Sequence, residues 1–281
     1  MEKQIPSRLS TLGHPQRLAI FRLLMRRYPE KVAAGEMIAA LAIKPSTLSA
    51  YLAALMRSGL VTQERTGTSL RYCIAMAEVR RTFDYLFLDC CRGRADLCSP
   101  GYPLTAPGVG PMPERKRNVL FICTGNSARS IFAEAILRQE AGDRFEVFSA
   151  GSDPRRGVNP FAREVLERKG HDVTALRPKS VTEMQGPDAP RFDFVFTVCS
   201  KAANQECPAW IGQPVSAHWG IPDPAAAQGT RTDKSRAFEA AYDAVADRVL
   251  AFAILPFPAL DRVSLQDAVD AIGRLNSGDF V

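Results

Sequence analysis

The chain has no long apolar run. Val249 to Leu255 is among its longest, while a membrane helix needs ~20 such residues, so no membrane partner is expected. No apolar stretch follows Met1, so no secretory signal is expected and the expected location is the cytoplasm. Thiols there stay reduced. The seven cysteines therefore do not suggest a disulfide framework, and clustered ones point to metal ligands or redox catalysts. Histidine is scarce. The three copies, His14, His171 and His218, share no ligand spacing, which argues against a histidine-built metal centre. His14 and His218 suit capping or packing. There is no internal repeat and no long low-complexity tract. A basic excess is also missing from most of the chain. Residues 99–281 hold 21 Lys and Arg against 22 Asp and Glu, whereas residues 1–98 hold 15 against 8. A basic segment beside a near-neutral one points to a nucleic-acid contact on the first.

What is present falls into two halves. A chain of 281 residues, 46% of them apolar, suffices for two cores. Ser99 to Glu114 carries five prolines and three glycines, which excludes a regular helix or central strand. Residues 99–116 therefore form a linker, partly stiffened by proline. It parts a first domain, 1–98, from a second, 117–255, with 256–281 as a C-terminal extension. In that extension only a short amphipathic stretch near Leu265–Leu275 is legible.

The first domain is mainly helical. Ile20, Phe21, Leu23 and Leu24 form an apolar stripe that ends near Tyr28-Pro29. Met37, Ile38 and Leu41 mark a short helix. Pro45-Ser46-Thr47 opens another, with Leu48, Leu52, Leu55 and Met56 on its inner face, and Ser58-Gly59 closes it. Leu60 to Arg65 and Ser69 to Ile74 alternate as strands around Thr66-Gly67-Thr68, and a last helix runs from about Glu78 to Asp89. Helices followed by a hairpin make a winged helix-turn-helix. Its third helix would enter the major groove, offering Ser46, Thr47, Ser49 and Tyr51, while Arg65 and Arg71 on the hairpin reach phosphates. The phrases Leu9 to Leu18, Pro45 to Leu55 and Ser58-Gly59-Leu60-Val61 resemble the ArsR-type metalloregulator family over about residues 7–90. The resemblance implies a homodimeric repressor that leaves operator DNA when a metal or metalloid binds. Ala50 stands where many relatives carry histidine, which leaves the base preference open.

In the second domain strands alternate with helices. Apolar strands are predicted at Asn118–Cys123, Phe145–Ala150, Phe192–Cys199 and Pro214–His218, with helical patterns at Ser130–Glu140, Pro160–Lys169 and about Ser235–Leu255. That pattern predicts an α/β fold, a four-stranded parallel sheet flanked by helices, with ligands at the carboxyl ends of the strands. Val119 to Cys123 runs into Thr124, Gly125, Asn126, Ser127 and Ala128, then Arg129 and Ser130. A loop of this size turns its N–H groups inward to cradle a tetrahedral oxyanion. Arg129 can fork two donors onto it, and the same field is expected to lower the pKa of Cys123 and make it a thiolate nucleophile. Two reactions suit such a site: phosphoryl transfer from a phosphate ester, and attack on arsenate. Both want a general acid. Asp223, between Pro222 and Pro224, suits that role, and it equally suits a turn. Cys199 and Cys207 serve no purpose in a phosphatase. In a reductase Cys199 can attack the Cys123–arsenic adduct, and Cys207 can resolve the resulting disulfide. A helix at about 1.5 Å per residue would hold these two far beyond the ~7 Å limit of a disulfide. Residues 200–207 are therefore expected to form a loop, or to melt on oxidation.

Cys123 to Ser130, Ser149-Ala150-Gly151, Thr197-Val198-Cys199 with Cys207-Pro208, and His218-Trp219-Gly220 with Asp223-Pro224 resemble the arsenate reductases of low-molecular-weight tyrosine phosphatase fold. The resemblance implies arsenate as substrate and no tightly bound cofactor. Cys123 would be the nucleophile, Arg129 and Ser130 the anion and thiolate stabilisers, Asp223 the acid, and Cys199 with Cys207 the redox relay. Phosphatases of this fold usually carry aromatics after the acid-loop Asp-Pro, where Ala225-Ala226-Ala227 stands here. The electron donor stays open between thioredoxin and a glutathione–glutaredoxin system, because the Cys199–Cys207 spacing is one longer than in the best-known thioredoxin-coupled relatives. Lys179-Ser180 falls near where some relatives place an acidic potassium ligand, and a lysine there could replace the cation.

Three thiols, Cys90, Cys91 and Cys98, end the first domain. Trivalent arsenic takes three sulfurs, so these are the expected arsenite site, with arsenite as effector. Adjacent helical residues point about 100° apart, so the segment must leave a regular helix to converge on one ion. Cys73 suits core or bystander. Together these features predict an arsenite-responsive repressor fused to an arsenate reductase. A phosphatase joined to a regulator and a non-catalytic oxyanion sensor are the competing readings.

Overall fold

The structure is a computed structural model that describes residues 4–90, 115–186, 189–205, 210 and 214–275. It divides into two compact units, residues 1–105 and 106–281. Most of the predicted linker lies outside the described residues, as do Cys91, Cys98 and Cys207.

The first unit runs α1 (Ile5–Leu12), α2 (Pro15–Arg27), β1 (Val32–Ala33), α3 (Ala34–Leu41), α4 (Pro45–Arg57), β2 (Val61–Thr66), β3 (Ser69–Ile74) and α5 (Met76–Asp84). Proline opens α2 and α4, where a missing N–H costs nothing. His14 caps α2, its Nδ1 accepting the Gln16 N–H at 3.2 Å. The hairpin reverses at Gly67, whose φ of +60° favours glycine. Ile20, Leu23, Leu24, Leu48, Leu52 and Leu55 form the core, as the periodicity predicts. Two elements escape that periodicity. β1 has only two residues, and it pairs antiparallel with β3 to make a sheet ordered β1-β3-β2. α1 buries only Ile5 and Arg8. The Arg8 guanidinium bonds the Ser58 carbonyl at the end of α4 and, on α5, the Glu78 carbonyl and Thr82 Oγ1 at 3.0–3.1 Å. Where one helix is predicted to Asp89, α5 passes into a π-helical turn, Tyr85–Cys90.

The second unit runs β4 (Arg117–Cys123), α6 (Arg129–Ala141), β5 (Phe145–Gly151), α7 (Pro160–Arg168), β6 (Phe194–Thr197), α8 (Ser200–Asn204), β7 (Val215–His218), α9 (Arg231–Ala253) and α10 (Arg262–Gly273). Its sheet is parallel throughout and ordered β5-β4-β6-β7, which bears out the predicted fold class. Val119 to Cys123 are all buried. Successive strand residues point to opposite faces, so both faces are covered. Cys123 pairs with Gly151, Ile122 with Thr197, and Thr197 with His218. The strands thus end level, and the chain leaving each enters one edge of the sheet.

Trp219 follows β7 and anchors the next loop in the core. Its ring stacks on Phe196 at 4.0 Å, and its Nε1 donates to the Val269 carbonyl of α10 at 3.0 Å. α10 packs on β7 and α9, so part of the predicted extension belongs to this core. Among the described residues no single helix is long and apolar enough to cross a membrane.

Candidate active site

Cys123 ends β4 and is buried. Its Sγ lies 2.9 Å from Ser130 Oγ and accepts the Asn126 N–H at 3.1 Å. Thr124 to Ala128 loop around it before α6 begins at Arg129. Asn126 takes a left-handed φ of +44°, unusual outside glycine, and its side chain is held on three sides. Nδ2 donates to Ser130 Oγ at 2.9 Å and Ser149 Oγ at 2.8 Å, and Oδ1 accepts the Lys179 N–H at 2.7 Å. Beneath it Ser149 Oγ donates to Glu134, and Lys179 Nζ donates to the same carboxylate at 3.0 Å. A buried lysine and a buried glutamate thus stand under the loop. The sequence offers one signal for this pair: Glu134 sits between Ala133 and Ala135 in a helix buried from Ser130 to Leu137. Such a charge needs a partner.

The expected depression of the Cys123 pKa is reversed in this structure. Burial pushes the thiol up, and the neighbouring Cys199 charge adds to it; Ser130 and Arg129 pull the other way without prevailing. The thiol is therefore protonated at neutral pH, and the loop's donors are set to receive charge that arrives with a ligand.

Arg129 Nη2 lies 3.3 Å from Asp223 Oδ2, and Nη1 donates to the Ile221 carbonyl at 3.0 Å. Asp223 Oδ1 also accepts the Ala225 N–H at 3.2 Å, closing a short 3-10 turn. It is a turn residue and Arg129's partner at once. Cys199 is buried, caps α8 by accepting the Ala202 N–H at 3.4 Å, and lies 3.4 Å from Thr124 Oγ1. Thr124 thus joins the nucleophile's loop to the second thiol. Residues 200–204 are helical, contrary to the expected loop, so unwinding on oxidation is the alternative left. The helix is capped by Cys199 itself, a role its spacing from Cys207 does not announce.

In the first unit Ser46 and Ser49 are exposed on α4, and Thr47 is half-buried. Tyr51 is also half-buried, its ring 4.9 Å from that of His14. Arg65 is exposed and its Nε donates to the Gly67 carbonyl at 3.2 Å; Arg71 donates to the Lys31 carbonyl at 3.3 Å. Cys90 is exposed at the end of the π-helical turn. Among the described residues no group of three or more His, Cys, Asp or Glu converges as a metal site. His218 packs, its Nδ1 2.8 Å from Thr197 Oγ1.

Residues 118–264 match the family model "Low molecular weight phosphotyrosine protein phosphatase", and residues 12–64 match "Helix-turn-helix domain". An arsenate reductase of Bacillus licheniformis is 34% identical over 139 residues, covering 49% of this chain and 96% of the relative. One of Bacillus subtilis is 36% identical over 135 residues, covering 48% and 94%. The solved arsenate reductase from Archaeoglobus fulgidus is 28% identical, covers 47% of this chain and 98% of its own, and aligns with a TM-score of 0.37.

Proposed function

The chain belongs, through residues 118–264, to the low molecular weight phosphotyrosine protein phosphatase family, and from that premise we propose that its second unit reduces arsenate. Support comes first from one observation: Cys199 is buried beside the cradle, within 3.4 Å of Thr124 Oγ1. Ester hydrolysis has no use for a second thiol there. The relatives named arsenate reductase, matched over nearly their whole length, support the same reading.

In this reading an arsenate dianion enters the loop formed by Thr124, Gly125, Asn126, Ser127, Ala128 and Arg129. The Cys123 proton passes to an arsenate oxygen, the sulfur bonds to arsenic, and one oxygen leaves as water, with Asp223 relaying the proton. Ser130 stabilises the sulfur charge. Cys199 then attacks Cys123 Sγ, its proton passing to an oxygen of the departing arsenite. The S–As bond breaks, its electron pair stays on arsenic, and arsenite leaves. Cys207 attacks Cys199, frees Cys123 and leaves a Cys199–Cys207 disulfide. A thioredoxin or glutaredoxin dithiol returns the two electrons, so no tightly bound cofactor is required.

The helix-turn-helix unit would bind operator DNA as a homodimer, with Ser46, Thr47, Ser49 and Tyr51 towards the bases and Arg65 and Arg71 towards phosphates. Arsenite held by Cys90, Cys91 and Cys98 would release it in the cytoplasm. The enzyme's product would then be the regulator's effector.

The test is arsenate-dependent NADPH oxidation with the thioredoxin and glutaredoxin systems added in turn. One of the two should support turnover. Cys199→Ser should abolish it while leaving hydrolysis of p-nitrophenyl phosphate. Ester hydrolysis without arsenate turnover under either donor would instead identify a phosphatase.

A further inference from the structure

We propose that Arg155 is a second anion-binding arginine of this site and selects an inorganic oxyanion over an ester. The proposal rests on the cradle reading above and adds a specificity determinant to it. After β5 the chain turns back along the Cys123 loop. The N–H groups of Ser152, Asp153, Arg155 and Asn159 donate to the carbonyls of Cys123, Thr124, Gly125 and Ser127 at 3.2, 2.9, 2.9 and 2.9 Å. These four bonds make residues 152–159 a wall of the cradle and turn the carbonyls of Thr124, Gly125 and Ser127 to that wall, while the Asn126 N–H points to the Cys123 sulfur.

Arg155 lies against the loop itself. A Cβ placed on Gly125 would stand 3.1 Å from Arg155 Cγ and 3.7 Å from its Nε. Glycine at that position makes room for the arginine stem. The other cations of the site are engaged: Arg129 with Asp223 and the Ile221 carbonyl, Lys179 with Glu134 and the Arg177 carbonyl. Arg155 is exposed and makes no side-chain hydrogen bond or ion pair among the described residues.

A dianion beside the Cys123 sulfur brings more negative charge than Arg129 can balance while it also holds Asp223. The start of α6 adds only about half a charge. A second guanidinium at the rim closes that gap. It also reads the ligand. An inorganic oxyanion has a fourth oxygen free to accept charge-assisted bonds, where an ester carries its organic group. Ala225 to Ala227, which follow the Asp223-Pro224 turn in the chain, offer little side-chain surface for an aromatic ester.

The experiment uses the full-length chain with Arg155→Ala and Arg155→Lys. Inorganic phosphate is titrated calorimetrically into resting protein, and KM and kcat are measured for arsenate and for p-nitrophenyl phosphate. R155A should weaken phosphate binding and raise the arsenate KM by about tenfold each, with a smaller rise of about threefold in the ester KM, because the ester needs the same charge balance but has no fourth oxygen to lose, and R155K should fall between. Phosphate affinity and arsenate KM both unchanged would overturn the proposal, as would a wild-type chain that binds no phosphate. Equal losses for arsenate and ester would overturn the selectivity. Phosphate binding that depends on Arg155 in a chain without arsenate turnover would leave this inference standing and remove the reductase reading.

Discussion

Lys179 Nζ stands 3.0 Å from Glu134 Oε2, both residues are buried, and the Lys179 backbone N–H holds Asn126 Oδ1 at 2.7 Å. The pair is tied to the loop that carries Cys123 through Ser149 and Asn126. Removing one partner leaves a buried charge to the other, and such losses cost about 3–5 kcal/mol. Arg138 also bonds Glu134, which places Lys179→Met near the lower end. The double variant Lys179→Met, Glu134→Gln should recover part of the loss. Both tryptophans, Trp210 and Trp219, lie in the second unit, so tryptophan fluorescence follows its denaturant unfolding alone. Equal midpoints for single and double variants would deny the coupling.

The thiol of Cys123 carries a pH prediction. Its pKa lies above the ordinary 9.0, chiefly through burial, so the folded state prefers the neutral thiol. Stability from this preference is present below 9.0 and lost as pH rises through the folded pKa. Alkylation of Cys123 by iodoacetamide, followed on its peptide, should therefore have a midpoint above 9.0. Cys199→Ser should lower that midpoint by removing a neighbouring charge, and Ser130→Ala should raise it by removing a donor. Shifts of the opposite sign would contradict the buried pair of thiols.

The parallel sheet and the cradle were legible because they follow from local patterns. Val119 to Cys123 is an unbroken apolar strand, and its loop and Arg129 follow without a gap. The charge state of Cys123 was not legible, because its largest cause, burial, comes from packing that no spacing records. Tyr51 is a similar case. Its place on α4 suggests an open face, but nothing in the spacing records its ring contact with His14, the residue that caps α2. α10 has an amphipathic pattern, yet nothing in its sequence says that Val269 will receive the Trp219 indole N–H. Arg155 is silent in sequence because its importance comes from four backbone bonds that lay its segment on the cradle.

Gly151 ends β5 opposite Cys123. A Cβ there would lie 2.6 Å from the Thr124 carbonyl oxygen and 3.0 Å from the Asn126 N. Both are backbone atoms of the cradle, so neither can swing aside. Gly151→Ala must push the loop from the strand. The expected cost is about 1–3 kcal/mol in the tryptophan-detected transition, with loss of phosphate binding. Unchanged phosphate affinity would mean that the loop is less tightly built than these distances require.

Arg8 makes the corresponding claim for the first unit. It is 3% exposed, and its guanidinium meets the Ser58 carbonyl, the Glu78 carbonyl and carboxylate, Thr82 Oγ1 and Gln4 Oε1. One side chain thus joins α1 to the end of α4 and to α5. The planar fork matters, because Nε meets Ser58, Nη1 meets Glu78 and Thr82, and Nη2 meets Gln4 and Glu78. Lysine supplies the charge from one point and cannot span them. Arg8→Lys and Arg8→Met should therefore both destabilise this unit, by roughly 2–4 kcal/mol for methionine, which leaves several buried acceptors without a donor. Arg8 also holds the Glu78 carboxyl below its ordinary 4.5, so the tie weakens as pH falls through the lowered pKa. The far-UV circular dichroism should lose helix in an earlier transition in both variants, while the tryptophan signal of the second unit stays at its wild-type midpoint. Were R8K to melt as the wild type does, charge alone would suffice and the fork would be incidental. Were the tryptophan transition to move with it, the two units would not unfold independently.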